Sequence, residues 1–159
     1  MPISLFRVDE RLIHGQVVVG WGGQLRPSRY LVVDALVADS EWEQELYSLG
    51  VPNGVEAVFL SPSEARKFLP EWRASEAKSV LLTKNLEAML DLARGRLMEG
   101  EEVNLGGLHS QADRREVLPY LFLDEKDKDL LRQLEEEGVL ISAQDLPGSP
   151  KVTLAVLLG

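Results

Sequence analysis

The sequence contains no cysteine, which excludes disulfides, thiolate-bound metals and cysteine nucleophiles. Histidine is scarce too, with two in the chain, and no carboxylate pair shows ligand spacing, so no metal site and no cofactor are predicted. No apolar run approaches the ~18 residues that a membrane helix requires. The first residues lack the basic stretch and apolar core of a secretion signal, so we expect a cytoplasmic protein.

Positive charge is outnumbered, because 17 basic residues stand against 26 acidic ones and leave a formal net charge of −9. Nucleic-acid-binding proteins present a basic face, so this class is excluded. The acidic residues concentrate at 99–102 and 124–137, which favours solvated helix faces; an acidic surface that selects a basic partner is the alternative. The N-terminal segment is locally basic, with Arg7, Arg11, Arg26 and Arg29.

The 159 residues match the usual length of one domain, and short apolar runs alternate with amphipathic, helix-length segments. The expected strands are 3–8, 30–33, 55–60, 79–83, 103–105, 120–123 and 139–143. The expected helices are 39–49, one that starts at the Ser61-Pro62 cap, 86–97 and 127–137, while 152–158 is unassigned. This order predicts a single α/β domain over 1–159, with an open, mainly parallel twisted sheet of about six or seven strands and helices on both faces.

The turn after the first strand holds the main candidate residues, because ligands bind at the carboxyl ends of strands in such sheets. A neutral imidazole at His14 would be a nucleophile, and the guanidinium groups of Arg7 and Arg11 could hold phosphoryl oxygens. Asp9 could orient the ring or fix an arginine. The further candidate phosphate-binding residues of this turn are Ile13, Gly15 and Gln16. The alternative is a set of ordinary surface ion pairs around a structural histidine.

Two other turns carry secondary candidates. Gly106 and Gly107 could give an anion access to backbone amides, or form a plain turn. His109 could contact a phosphoryl group or a sugar hydroxyl, although an exposed loop histidine is favoured. Lys84 could add positive charge near the site or lie in solvent at a helix start.

The segment Arg-Val-Asp-Glu-Arg-Leu-Ile-His-Gly-Gln-Val resembles the signature of the IIB component of the mannose/fructose/sorbose family of the bacterial sugar phosphotransferase system. Three further segments agree with the family in order and spacing: 32–38, 104–107 and 138–147. The likeness therefore covers nearly the whole chain. Two departures, Ala35 where the family often has an acidic residue and Asp39 where it often has Asn, lie outside the histidine loop.

The resemblance implies that His14 is transiently phosphorylated, with Nδ1 as the expected nitrogen. The donor would be a phosphohistidine of a IIA protein, and the acceptor a sugar translocated by the membrane components IIC and IID. Arg7 and Arg11 match the family's arginines beside the histidine, and Asp9 matches its carboxylate. The chain would then be a protein-N(pi)-phosphohistidine–sugar phosphotransferase component, cytoplasmic and peripherally associated with a membrane transporter.

Two other functions are weighed against this one. The first is a regulatory or sensing module on the same fold that does not pass phosphate to sugar. The second is a small α/β hydrolase or nucleotide-binding enzyme, which is disfavoured because the sequence has no Gly-rich phosphate loop of the Walker or dinucleotide type. The sugar and the oligomeric state, a homo-oligomer included, stay open.

Overall fold

A computed structural model describes residues 3–159. Its strands are β1 (Ile3–Asp9), β2 (Arg29–Val33), β3 (Glu56–Leu60), β4 (Ser79–Thr83), β5 (Glu102–Gly107), β6 (Arg115–Leu118), β7 (Leu121–Leu123), β8 (Leu140–Ala143) and β9 (Val152–Thr153). Its α-helices are α1 (Gly22–Leu25), α2 (Ala35–Ala38), α3 (Glu41–Ser48), α4 (Pro62–Ala74), α5 (Leu86–Ala93), α6 (Glu125–Glu136) and α7 (Leu154–Leu158). A π-helix (Gln16–Trp21) precedes α1, and a 3-10 turn (Arg94–Arg96) follows α5.

Seven strands form one sheet in the order β3-β2-β4-β1-β5-β8-β9, and all neighbours are parallel except β8 and β9. The predicted α/β class and mainly parallel sheet are therefore confirmed. One predicted strand is misplaced: the run 120–123 contributes β7, which pairs antiparallel with β6 in a separate two-stranded ribbon. No helix lies between β5 and β7, so the chain lacks the crossover that a parallel strand requires.

Both faces of the sheet are covered, and each has its own apolar core. Alternate strand residues take part in each core, since successive side chains point to opposite faces. Leu31 and Val33 of β2 belong to the larger core, which is packed by α4, α5 and α6. Tyr30 and Val32 belong to the smaller one, which also contains Leu12, Ile13 and Val17. The smaller core thus lies under the turn that contains the candidate histidine.

Helix ends follow the sequence signals in most places. Ser61 caps α4 by accepting a hydrogen bond from the amide of Glu64, as predicted, and Pro62 takes the first helical position. The expected helix 39–49 corresponds to α3, which Ser40 caps, and a separate short helix that was not predicted, α2, precedes it with Asp34 as its cap. The predicted helix 86–97 ends at Ala93, and Gly95 then adopts a left-handed φ of 71°.

The unassigned run 152–158 forms the short β9 and then α7. Among residues 3–159, none of the helices has the length and apolarity needed to cross a bilayer.

Candidate functional site

β1 carries two charged residues to the carboxyl end of the sheet. Phe6 and Val8 point into the larger core, so the pleat turns Arg7 and Asp9 to the opposite face. The registers with β5 place Arg7 opposite Asn104 and Asp9 opposite Gly107. A bulge lies between these two pairs. Two chemically different groups are thereby fixed side by side on a rigid strand.

The Arg7 side chain is fully buried, and its hydrogen-bond donors are taken by the protein. Its Nε and Nη2 donate to Oδ2 of Asp9 at 3.2 and 3.0 Å. Its Nη1 donates to Oδ1 of Asn104 at 2.7 Å and to the carbonyl of Gln144 at 3.1 Å. The Trp21 ring covers the guanidinium at 5.6 Å from its centroid. This burial does not fit the prediction that Arg7 touches a phosphoryl group directly.

Asp9 is the centre of the site. Besides Arg7, it accepts a hydrogen bond from the amide of Arg11 on Oδ1 at 3.0 Å, and its Oδ2 lies 2.9 Å from Nε2 of His14. Burial on its own would raise the pKa of Asp9. The hydrogen bonds from His14 and from the Arg11 amide, together with the charge of Arg7, outweigh burial and lower that pKa. Asp9 is therefore a carboxylate that can only accept hydrogen bonds.

Because Asp9 can only accept, Nε2 of His14 must carry the proton in this contact. In a neutral ring, the second nitrogen, Nδ1, then keeps its lone pair. No residue of the described chain, 3–159, forms a hydrogen bond with Nδ1. The turn that presents the ring is held by Leu12, whose buried side chain is anchored in the smaller core although its φ of 55° is left-handed. The ring itself is mostly enclosed, with a 13% exposed side chain.

Arg11 differs from Arg7 in its position in the chain and in its exposure to solvent. It lies in the turn rather than in the strand, and 47% of its side chain is exposed. Its Nη2 donates to Oε1 of Gln16 at 3.1 Å, and its Nε lies 3.9 Å from Oδ1 of Asp9. Arg11 is thus a cation held beside the ring whose guanidinium remains open to a ligand.

The start of the π-helix adds neutral donors next to His14. The carbonyl of His14 accepts the amides of Val17 and Val18, at 3.0 and 2.9 Å. Within residues 3–159, no protein atom accepts the amides of Gly15 and Gln16. A Cβ at Gly15 would meet no atom within 4 Å, so the space beside this amide is open. Ile13, in contrast, is buried in the smaller core, so only its backbone could serve a ligand.

The glycine pair of β5 lies against the side chains of Arg7 and Asp9. A Cβ at Gly106 would overlap the guanidinium of Arg7, and one at Gly107 would lie 3.4 Å from Oδ1 of Asp9. Both glycines are buried. The missing Cβ atoms therefore leave room for the Arg7–Asp9 pair, and anion binding by these two glycines stays a prediction.

His109 does not reach the His14 ring through any contact seen here; its Nδ1 lies 2.9 Å from Oε2 of Glu10. Arg114 donates to Oε1 of Glu10 at 2.8 Å and to Oδ2 of Asp127 at 3.0 Å, which ties the loop after β5 and the start of α6 to the His14 turn. Burial on its own would lower the pKa of Arg114. The hydrogen bonds and charges of Glu10 and Asp127 outweigh burial, so the pKa is raised and the guanidinium stays charged. Lys84 lines a neighbouring cavity of about 470 Å³ with Glu10, His109 and Arg114.

Sequence reasoning missed Asn104, Gln144 and Trp21 as parts of the site. Asn104 and Gln144 contact Arg7 across 97 and 137 positions of sequence. Trp21 also donates from Nε1 to the carbonyl of Asp145 at 2.9 Å. The only available signal was the Asn-Leu-Gly-Gly turn at 104–107. Among residues 3–159, no group of three or more His, Cys, Asp or Glu side chains is placed to hold a metal ion.

Comparison with known proteins gives consistent matches. The family described as "PTS system sorbose subfamily IIB component" matches residues 3–159. The N-acetylgalactosamine-specific phosphotransferase enzyme IIB component 2 of Escherichia coli strain K12 is 30% identical over 160 residues, which cover 99% of this chain and 100% of that protein.

Two further relatives extend the comparison. The mannose-specific EIIAB component of the same strain is 27% identical over 158 residues, 99% of this chain but 49% of that protein. The crystal structure of the N-acetylgalactosamine-specific IIB component 1 from Escherichia coli superposes with a TM-score of 0.84 at 27% identity, covering 95% of this chain and 98% of that one.

Proposed function

We propose, from the membership of this chain in the sorbose subfamily of phosphotransferase-system IIB components, that His14 is its phosphorylated residue. The chain is a phosphoryl carrier in sugar uptake, as the IIB components of this family are. The regulatory alternative is not favoured, because the match extends over the whole described chain and includes carriers for several sugars.

The observation that carries the proposal is the 2.9 Å contact between Oδ2 of Asp9 and Nε2 of His14. Asp9 keeps the proton on Nε2, so the nucleophilic lone pair lies on Nδ1. Asp9 is itself fixed by the buried Arg7, which cannot be displaced without loss of its bonds to Asn104 and Gln144. Arg7 is thus a positioning residue, and Arg11 is the cation that contacts the phosphoryl oxygens.

Transfer proceeds in line between two nitrogens. The lone pair on Nδ1 of His14 attacks the phosphorus, the N–P bond of the donor histidine breaks, and its electron pair returns to the donor ring. The His14 ring then holds both a phosphoryl group and the Nε2 proton, and the Asp9 carboxylate stabilises its positive charge. Arg11 and the amides of Gly15 and Gln16 hold the phosphoryl oxygens. In onward transfer, the oxygen of a sugar hydroxyl attacks the phosphorus, the N–P bond breaks with its electron pair returning to Nδ1 of His14, and the hydroxyl proton is released to solvent.

The donor and acceptor partners follow from the same family. A IIA protein is the proposed donor, and the EIIAB relative, about half of which this chain matches, supports it. Membrane components IIC and IID are the proposed site of transfer to sugar, which makes the chain a cytoplasmic protein associated with a transporter. Relatives specific for N-acetylgalactosamine, fructose and mannose match at similar identity, so no single sugar is assigned.

The test is phosphorylation from phosphoenolpyruvate with the general phosphotransferase proteins and a IIA protein of this family. The parent should gain one acid-labile, alkali-stable phosphoryl group, and NMR of the ring should place it on Nδ1 of His14. The His14→Ala protein should gain none, and the His109→Ala protein should gain it normally. Stable incorporation into His14→Ala would overturn the assignment.

A further inference from the structure

A groove between α3 and the edge strand β3 lies outside the phosphoryl site and exposes apolar side chains. Trp42, Leu46 and Leu49 follow one another at helical spacing on one stripe of the helix, and Leu49 is 83% exposed. No residue of α3 is buried. Ala57 and Phe59 of β3 form the other wall of the groove, which has a volume of about 710 Å³. Among residues 3–159, the stripe formed by Trp42, Leu46 and Leu49 is therefore not buried against another element.

Exposed apolar side chains also occur just before α3 in the chain. Leu36 of α2, which is 80% exposed, precedes α3. The outer edge of β3 also has no neighbouring strand within residues 3–159, since β3 ends the sheet. An open strand edge and an apolar helix stripe together form a surface that a protein partner can cover.

The acidic residues around the groove restrict the charge of a partner that could bind there. Glu41 and Glu45 line it, and Glu43 and Glu56 lie on the same two elements. None of the described residues that line the groove is basic. A second copy of this chain would bring the same acidic residues together, which is unfavourable. An apolar segment flanked by lysine or arginine is the complementary chemistry.

The groove adjoins the His14 turn. Tyr47 of α3 packs on the smaller core beside Leu12 and Ile13. A Cβ at Gly50, just after α3, would lie 3.5 Å from Cγ2 of Ile13. A partner seated in the groove is therefore positioned next to the turn that presents the phosphorylated residue.

We infer that the α3–β3 groove docks the cytoplasmic loops of the membrane components. Cytoplasmic loops of membrane proteins carry an excess of lysine and arginine, which is the charge that the groove selects. The inference rests on the proposed function, because it assumes that phosphoryl transfer ends at a membrane partner. On this inference, we expect the IIA donor to approach His14 without occupying the groove.

The experiment measures binding of the full-length, unphosphorylated protein to IIC and IID components of this family, reconstituted in nanodiscs. Leu46→Asp places a charge in the groove and should weaken binding at least ~tenfold. Glu41→Lys combined with Glu45→Lys should weaken it similarly and reduce its salt dependence. Val156→Asp is the matched control, because Val156 is an exposed apolar residue on α7, beside the opposite edge of the sheet.

A second measurement separates this inference from the proposed function. The initial rate of phosphoryl transfer from the IIA protein to His14 should be unchanged in Leu46→Asp. Unchanged nanodisc binding in both groove variants would overturn the inference. It would equally be overturned by a slower rate from the IIA protein with normal membrane binding, or by a parent dimer that Leu46→Asp dissociates. Failure of the parent to accept phosphate at His14 would instead contradict the proposed function, and the binding result would still decide the groove.

Discussion

Asp9→Asn changes the acceptor that sets the tautomer of His14 while keeping the size of the side chain. The carboxylate accepts on both oxygens, from the Arg11 amide on Oδ1 and from Arg7 and His14 on Oδ2. An asparagine has one acceptor oxygen and one NH2 group. In the orientation that points its oxygen at the Arg11 amide, its NH2 faces Nε2 as well as the Arg7 donors, and Nε2 can accept from it only by giving up its proton. The proton moves to Nδ1 and removes the nucleophilic lone pair.

The size of this effect has a precedent in the serine protease triad, where the same substitution leaves the wrong tautomer and lowers kcat by ~10⁴. We therefore expect the rate of phosphoryl transfer to His14 to fall by roughly 10² to 10⁴. Stability should fall as well, because Arg7 keeps a buried charge without its counter-ion. Removing one partner of a buried pair costs about 3–5 kcal/mol. For a domain of this length, that lowers Tm by roughly 6–20 °C.

The stability loss should depend on pH, and its sign follows from the lowered pKa of Asp9. A carboxylate with a lowered pKa stabilises the folded state above its unfolded pKa of about 3.9, and that stabilisation disappears as the pH falls through the folded value. The difference in unfolding free energy between parent and Asp9→Asn should thus be complete at pH 6 to 7 and shrink below about pH 4.

Three measurements check the prediction: the rate of phosphorylation from a IIA protein, urea unfolding at several pH values, and 15N NMR of the ring. Asp34→Asn is the control, since Asp34 directly follows β2 at the same edge of the sheet and caps α2, where asparagine serves equally well. A folded Asp9→Asn protein that keeps the proton on Nε2 and accepts phosphate at the parent rate would refute the tautomer argument.

Three further changes test other parts of the site. Arg11→Ala should slow phosphoryl transfer roughly ten- to a hundredfold with little loss of stability, and Arg11→Lys should recover only part of the rate; an unchanged rate in Arg11→Ala would contradict its contact with phosphate. Gly106→Ala should lower the unfolding free energy by about 1–3 kcal/mol in urea titrations, because its Cβ overlaps Arg7, whereas Gly107→Ala should lower it less. Equal losses of unfolding free energy in the two variants would contradict the packing argument. Arg114→Met should lower the unfolding free energy by about 1–3 kcal/mol while phosphorylation of His14 continues. A complete loss of phosphorylation would contradict the view that Arg114 only holds Glu10 in place.

The sequence predicted the elements that depend on local patterns and missed those that depend on distant contacts. Continuous apolar runs indicated the buried parallel strands, and Ser61-Pro62 marked the start of α4. β6 and its pairing with β7 had no such signal, because the pairing depends on where the chain returns rather than on composition. Asn104 and Gln144 are polar residues whose contact with Arg7 appears only after the sheet is assembled.

The two arginines show the same limit more clearly. In the sequence, Arg7 and Arg11 are equivalent cations on either side of Asp9, and both were expected to hold phosphate. The pleat of β1 buries Arg7, while the turn leaves Arg11 about half exposed. The difference arises from the position of the strand end, which cannot be fixed to one residue from a pattern alone.

This separation of the arginines fits the charge changes of a carrier. Before transfer, two guanidiniums face one carboxylate, so the site has an excess of positive charge that attracts a phosphoryl donor. In the proposed phosphorylated state, the dianionic phosphoryl group would face Arg11, and the cationic ring would face Asp9. Arg7 takes part in neither contact, and because its partners are all protein groups its geometry need not change between the two states. A fixed Arg7–Asp9 pair would therefore let the proposed phosphorylation and dephosphorylation of His14 occur without rearrangement of the buried part of the site.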